Sequence, residues 1–197
     1  MFNTAKDLDL KVNSYVDERM DPFKSSDAAA KYLSELFERF NDWNLAIAAY
    51  NYGPGNIRRA IKASGYSNFW NLRGYLPKET ANYVPSFIAT LYLFEYAHKH
   101  EIKKKKNETI PALTDSIPIK KMVSFTHISE KIDISIDTLN FLNPSYIHSI
   151  IPSVKNKQYY LTLPETYTDI FTEKEVEIYN TADLDYNSRE KPLPQLY

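Results

Sequence analysis

Residues 42–56, DWNLAIAAYNYGPGN, constrain the fold of this chain more than any other stretch. An alanine-rich apolar helix signal runs from Trp43 to about Asn51 and leaves little polar face, so the helix is expected to be buried on most sides. Small residues at Ala46, Ala48 and Ala49 allow close helix packing. Gly53, Pro54 and Gly55 then stop the helix and free the backbone for unusual dihedrals. Tyr50, Asn51 and Tyr52 therefore stand at the lip of a packed helix. Tyrosine rings can cover sugar faces, and an Asn amide both donates and accepts hydrogen bonds, so such a lip suits a polyhydroxylated ligand. On composition alone the plainer reading of the same residues is a helix end and turn.

Upstream, Phe2, Leu8, Leu10 and Val12 in MFNTAKDLDLKV are apolar enough to need a partner. VDERMDP, residues 16–22, reads as a capping and ion-pair cluster, since Asp and Ser start helices and acidic groups favour N-termini. From Asp27 to Phe40, Ala29, Tyr32, Leu33, Leu36, Phe37 and Phe40 recur at steps of three and four, which predicts an amphipathic helix with Lys31, Glu35, Glu38 and Arg39 on its wet face. Asp42 is placed to cap the next helix. Beyond the Gly-Pro-Gly break, Asn56 is expected to cap a short helix over 57–63, with Gly65 at its C-terminus. Phe69, Trp70 and Leu72 form an aromatic plug in a loop, and a long helix is predicted over 77–100 with Pro85 near its beginning.

Lys103 to Lys106 is a run of like charge and marks a linker. After it, 117–125 reads as extended, 125–142 as two short helices, and 159–163 as a strand before Pro164. From Glu165 onward the chain is charged and tyrosine-rich with little periodicity, and the final EKPLPQLY reads as an extended linker. The order strand, helix, helix, strand sets this half apart. The fold expected is mostly α, with a small α+β module, and the domains are 1–102, a linker over 103–116, a module over 117–165, and a tail over 166–197.

Several function classes lack support. With 24 basic and 25 acidic residues, net charge −1 carries no electrostatic footprint for nucleic acid. There is no cysteine, hence no disulfide framework and no thiolate nucleophile. No Gly-rich phosphate loop, HExxH or histidine cluster occurs, so neither metal nor cofactor is expected. His98 and His100 suit a helix end, and His127 and His148 are isolated. WNLAIAAYNYG has the offsets of one tetratricopeptide unit, but such arrays need several copies at a period of about 34 residues and no second copy is present.

The run VDERMDPFKSSDAAAKYLSELFERFNDWNLAIAAYNYGPGNIRRAI, followed by FWNL and LPKETANYVPSFIA, resembles the second half of the catalytic domain of lytic murein transglycosylases of the membrane-bound type D. The resemblance covers residues 1–98. ISEKIDISIDTLNFLNP, then IIP and YYLTLP, is similar to a LysM-like module. This implies an incomplete lysozyme-like helical domain followed by a small LysM-like domain. It also implies an enzyme that cleaves the bond between N-acetylmuramic acid and N-acetylglucosamine in peptidoglycan glycan strands without water, forming a 1,6-anhydro product. In the family a single Glu protonates the leaving oxygen and then takes the proton of the attacking C6 hydroxyl, whereas hydrolytic glycosidases generally need two carboxylates.

That Glu is expected to be absent from this chain, because the family carries it ahead of a Gly-Leu-Trp-Gln-type stretch and this sequence starts just after it. Glu18, Glu35, Glu38 and Glu79 each have another explanation, in the charged cluster, on a wet helix face or at a helix start. Carried onto matching positions, Tyr50 and Asn51 fall on the cleft wall, Tyr52 and Gly53 in the following turn, and Tyr83 resembles the tyrosine that orients the acid. Asn3 and Asp9 stand where the family tends to have Gly, and both residue types tolerate left-handed backbone. The expectation is a fragment inactive by itself, located in the periplasm or cell envelope if joined to an upstream part that would carry any membrane anchor. The alternative is a non-catalytic peptidoglycan-binding or scaffold protein; a fragment should expose apolar surface around Phe2, Leu8, Leu10 and Val12, whereas such a binder should have covered it with polar substitutions, which the sequence has not done.

Overall fold

The computed structural model describes residues 2–103, 113–189 and 193. They form two compact units, one within 27–106 and the other joining 1–26 to 107–197. The expected domain over 1–102 is therefore divided, its first 26 residues packing with the C-terminal half.

In the unit within 27–106, helix α2 (Pro22–Phe40) enters from the other unit's sequence, starting earlier than its apolar stripe because Pro22 suits the first turn and Asp21 accepts from the Phe23 and Lys24 amides. Helix α3 (Trp43–Tyr52) is capped by Asp42, whose carboxylate accepts from the Leu45 N–H at 3.0 Å. Its residues Leu45 to Ala49 are all buried, and α3 packs against α4 (Pro54–Ser64) and α6 (Lys78–Tyr96). Ala46, Ala48 and Ala49 are fully covered, so a larger side chain there would overpack the contact at a cost of about 1–3 kcal/mol. Gly53 joins α3 to α4 at φ +88°, a left-handed conformation that only glycine adopts without strain. Helix α4 begins at Pro54, not Ile57, because a proline is pre-set for the first helical turn; Asn56 instead donates to the Tyr52 carbonyl. Gly65 closes α4 in the left-handed region as expected.

The aromatic plug is itself a short helix, α5 (Phe69–Leu72), capped by Asn68. Phe69 and Leu72 are buried, whereas Trp70 is exposed. Pro85 lies within α6, beyond its first turn, and the long helix ends in a 3-10 turn over Ala97–His100. Past Val84, Phe87, Ile88, Leu91, Tyr92, Leu93 and Phe94 are all exposed, so the C-terminal part of α6 is apolar on several faces at once. A helix with that pattern is one made to be covered.

In the other unit, α1 (Phe2–Asp7) precedes a turn in which Asp9 takes φ 61°, the left-handed geometry for which Asp is suited; Asn3 lies inside α1. Phe2 is exposed beneath Lys6 and Arg19, but Leu8, Leu10 and Val12 are partly covered. Strand β1 (Thr114–Ile119) pairs antiparallel with β4 (Tyr159–Pro164), and β2 (Val123–Ser124) with β3 (Ile150–Ile151). The expected linker therefore ends sooner, since Thr114 to Ser116 already belong to β1; most of the remaining linker lies outside the described residues. Helices α7 (Phe125–Ile132) and α8 (Ile136–Leu142) sit between the strands in the expected order.

Within the expected tail over 166–197, residues 168–188 are not extended. Thr168–Ser188 is a helix, α9, packed on α7. Phe171, Ile178, Tyr179 and Ala182 recur at steps of seven, one and three, a single helical face, and all four are buried. Lys120–Glu175, Lys121–Asp183 and Lys131–Glu177 ion pairs at 2.7, 2.7 and 2.8 Å flank that face, and the Tyr179 hydroxyl accepts from the Lys120 N–H at 3.0 Å. Leu193 is the one described residue of EKPLPQLY; the rest lies outside the described residues. Truncating Ile178 to Ala should destabilise this unit by roughly 2–5 kcal/mol in urea unfolding, the cost of a large-to-small change in a core, where an extended tail would give no change.

Candidate functional site

The predicted site residues Tyr50, Asn51, Tyr52, Gly53 and Tyr83 all fall in one unit, around the end of α3 and the first half of α6. Asn51 is the hinge of the arrangement. Its amide Nδ2 donates to Glu79 Oε1 at 3.3 Å, and its Oδ1 accepts from the Thr80 hydroxyl at 2.9 Å. Thr80 is buried and Glu79 exposed, so the clamp runs from the helix interface out to the surface. Tyr50 is half-buried, its ring 5.8 Å from that of Tyr32 and tilted by 50°. Tyr52 and Tyr83 are partly buried against the same core. Tyr83 is four residues beyond Glu79 on α6, one turn along the helix face that meets Asn51. Glu79 was expected only as a helix-start residue; its bond to Asn51 joins positions 28 apart, which no local pattern reveals.

The charged cluster over 16–22 forms in the other unit, as caps and ion pairs. Asp17 caps the 3-10 turn Glu18–Met20 by accepting from the Arg19 N–H at 3.1 Å, and pairs with the Arg19 guanidinium at 2.6 Å. The Arg19 hydrogen bond holds the Asp17 carboxyl below the usual aspartate range, against the opposing pull of burial. Glu18 is buried, with Lys24 Nζ at 2.7 Å on one oxygen and the Lys11 N–H at 2.7 Å on the other. That burial escapes a reading of the sequence, in which Glu18 is one charge among several. Glu177 and Asp185 are also held low, chiefly by hydrogen bonds from Lys131 and Arg189. These displacements are opposite to the raised pKa that a general acid needs.

Ser124, His127 and Asp185 make a chain of polar contacts, with Ser124 Oγ 2.9 Å from His127 Nδ1 and His127 Nε2 3.3 Å from Asp185 Oδ2. The serine oxygen also accepts from the His127 N–H as a capping box at the start of α7. Its role is that of a helix cap, buried with His127. His148 meets the edge of Tyr15, and His100 the Tyr92 hydroxyl at 3.1 Å. Among the described residues no group of three or more His, Asp or Glu is arranged to hold a metal ion, and no helix is long and apolar enough to cross a membrane.

The helical unit built on α3 and the small strand-helix-helix-strand module define a two-part class: a transglycosylase SLT domain, whose family model matches residues 1–73, joined to a LysM-like domain, matched over 113–180 by the model described as "Lytic transglycosylase MltD, LysM-like domain". Two similar relatives carry the same name, "Membrane-bound lytic murein transglycosylase D", one from Escherichia coli strain K12 and one from Escherichia coli O6:H1. Each is 28% identical over 172 residues, covering 85% of this chain and 37% of the relative. In both parts the chain is similar to lytic transglycosylases of the MltD type. It spans 37% of the length of these relatives.

Asp17 supplies a test of the cluster. Its native pKa lies below its unfolded value, so it adds stability above the ordinary aspartate range and loses that contribution as pH falls through the native value. Asp17→Asn should lower the thermal midpoint at pH 7, and the gap from the parent should close as the pH is taken below 3.8, the ordinary aspartate value.

Proposed function

We propose that this chain is part of a peptidoglycan lytic transglycosylase that cleaves the bond between N-acetylmuramic acid and N-acetylglucosamine with formation of the 1,6-anhydro ring. The two family matches, in the order transglycosylase then LysM-like, carry this reading. Tyr50, Asn51, Tyr52 and Gly53 form one wall of the cleft, and Tyr83 orients the general acid. The Asn51 clamp to Glu79 and Thr80 supports a positioning role, because it fixes the end of α3 against the half of α6 that bears Tyr83. In this reading none of Glu18, Glu35, Glu38 and Glu79 serves as the general acid. In this reading the exposed apolar surface of α6, from Phe87 to Phe94, is covered by the rest of the catalytic domain. The working location is the periplasm or cell envelope, where peptidoglycan lies.

One observation favours the alternative of a non-catalytic peptidoglycan-binding or scaffold protein. Leu8, Leu10 and Val12 are partly covered within the unit that holds the LysM-like domain. Both readings predict that the purified chain releases no anhydromuropeptides from sacculi, since losing a general acid removes on the order of a hundred- to ten-thousand-fold of rate. They differ in solution behaviour: saturable sedimentation with sacculi by a monodisperse monomer supports the binder, and self-association through α6 supports the part-enzyme. Measured turnover by the 197-residue chain alone would overturn both.

A further inference from the structure

Residues 11–21 form a strap docked beside the chain that follows α8. Val16 bridges Tyr146, the Asp17 N–H donates to the Ser145 carbonyl at 2.8 Å, and the Ile147 N–H donates to the Tyr15 carbonyl at 2.9 Å. The Asn13 side chain reaches the Tyr159 hydroxyl, and the edge of Tyr15 meets His148. The two sides of this contact belong by sequence to different domains. The strap lies within the continuous stretch 1–73 that matches the transglycosylase SLT domain, and the surface under it lies within 113–180, which matches the LysM-like domain. A segment of one domain held on the surface of another is a contact that can be made and unmade.

Three features suit this contact to release. The strap's charges are answered by its own neighbours in sequence: Asp17 pairs with Arg19, and Glu18 with Lys24 and the Lys11 N–H. A strap that lifts carries these pairs with it and leaves none of these charges behind. Its share of the apolar core is small, since Tyr15 and Val16 join a cluster of buried residues whose other members all lie between Ile119 and Ala182. The seam is also unsealed. A cavity of about 340 Å³ remains between Lys11, Glu18 and Lys24 of the amino-terminal segment and Ser116, Tyr160 and Thr162 of the β1–β4 sheet. Protein cores are close-packed, whereas contacts between domains are more polar and more loosely filled.

We propose that residues 11–21 are an autoinhibitory strap, exchanging between a docked state that covers the LysM-like domain where the end of α8 meets β4 and an undocked state that leaves this face open. The masking role rests on the peptidoglycan reading above; the exchange rests on the contact alone. While the docked state predominates, anything that needs the open face binds more weakly by the fraction of open molecules. Hydrogen exchange of the 197-residue chain, followed by NMR under native conditions, tests the exchange. After correction for intrinsic rates, the Asp17 and Ile147 amides should exchange roughly a hundredfold or more faster than those of Ile178 and Tyr179 inside α9, because local opening needs less free energy than unfolding of the core. Equal protection of the two sets overturns the proposal.

A disulfide tests the masking. Val16 and Tyr146 are an antiparallel pair without mutual backbone bonds, the close spacing at which two cysteines can bridge, and the chain has no cysteine of its own to compete. In the Val16→Cys/Tyr146→Cys variant, oxidation should raise protection at Asp17 and Ile147 to the level of α9 and abolish sedimentation with sacculi, and reductant should restore both. Reduced and oxidised samples of one variant share any cost of losing the tyrosine; should the variant lose α9 protection, exchange in the parent decides alone. Equal, measurable retention of the two forms overturns the masking role. Zero retention of parent and reduced variant alike defeats the peptidoglycan reading, and the masking with it, while the exchange still stands or falls on protection.

Discussion

The burial of α3 on all sides is the constraint from which the helical unit follows. Five consecutive buried residues, Leu45 to Ala49, require neighbours all around the helix, and alanine at three of these positions lets them come close. Close packing permits little rotation of α3 about its axis, because a turn of one residue would drive Leu45 or Ile47 into space sized for alanine. The orientation of the next three residues is thereby fixed. Asn51 meets Glu79 and Thr80, Tyr50 meets Tyr32, and the chain must reverse at a residue free to take positive φ, which Gly53 does at no steric cost. Packing in the middle of one helix thus decides where its polar end points.

The second unit is organised by a different interaction, the docking of a distant segment through backbone bonds. Val16 bridges Tyr146, the Asp17 N–H donates to the Ser145 carbonyl at 2.8 Å, and the Ile147 N–H donates to the Tyr15 carbonyl at 2.9 Å. These backbone bonds bring Tyr15, which is fully buried, into a core otherwise made by β1 to β4 and α7 to α9. Charge then follows backbone. With the 3-10 turn Glu18–Met20 held beside the β1–β4 sheet, Glu18 is buried and acquires Lys24 and the Lys11 amide. The cluster in DERMDP is local in sequence and its capping function is local too, but the burial of Glu18 comes from residues more than a hundred positions away.

What could be read in the sequence divides along that same line. The stripe over α2, the Asp42 cap, the buried α3, the pair α7 and α8 and strand β4 each depend on residues within one or two turns of one another, and each was legible. Helix α9 was not. Its buried face, Phe171, Ile178, Tyr179 and Ala182, leaves the turn between 171 and 178 without a strong apolar residue, and the acids and lysines that pair across to Lys120, Lys121 and Lys131 read as solvated charge. The docking of 1–26 and the Asn51–Glu79 bond are long-range contacts between polar or ordinary residues, which periodicity does not encode. The start of α4 at Pro54 was misread because Pro was counted as a breaker where its fixed φ begins a helix.

Asn51 also clarifies what a conspicuous side chain at a helix end can contribute. Its Oδ1 already accepts from a buried threonine hydroxyl and its Nδ2 already donates to Glu79, so any ligand competing for the amide must break a bond within the protein to form its own. Such an exchange yields little net free energy, since an amide hydrogen bond to a sugar replaces one of similar strength. The useful property of the clamp is rigidity: it ties the last turn of α3 to the first turn of α6 and holds Tyr50 and Tyr83 in one frame. Tyrosine rings half-buried against that frame have already lost much of their freedom, and preorganisation of this kind, more than the count of polar contacts, is what the proposed role of this surface as a binding wall requires.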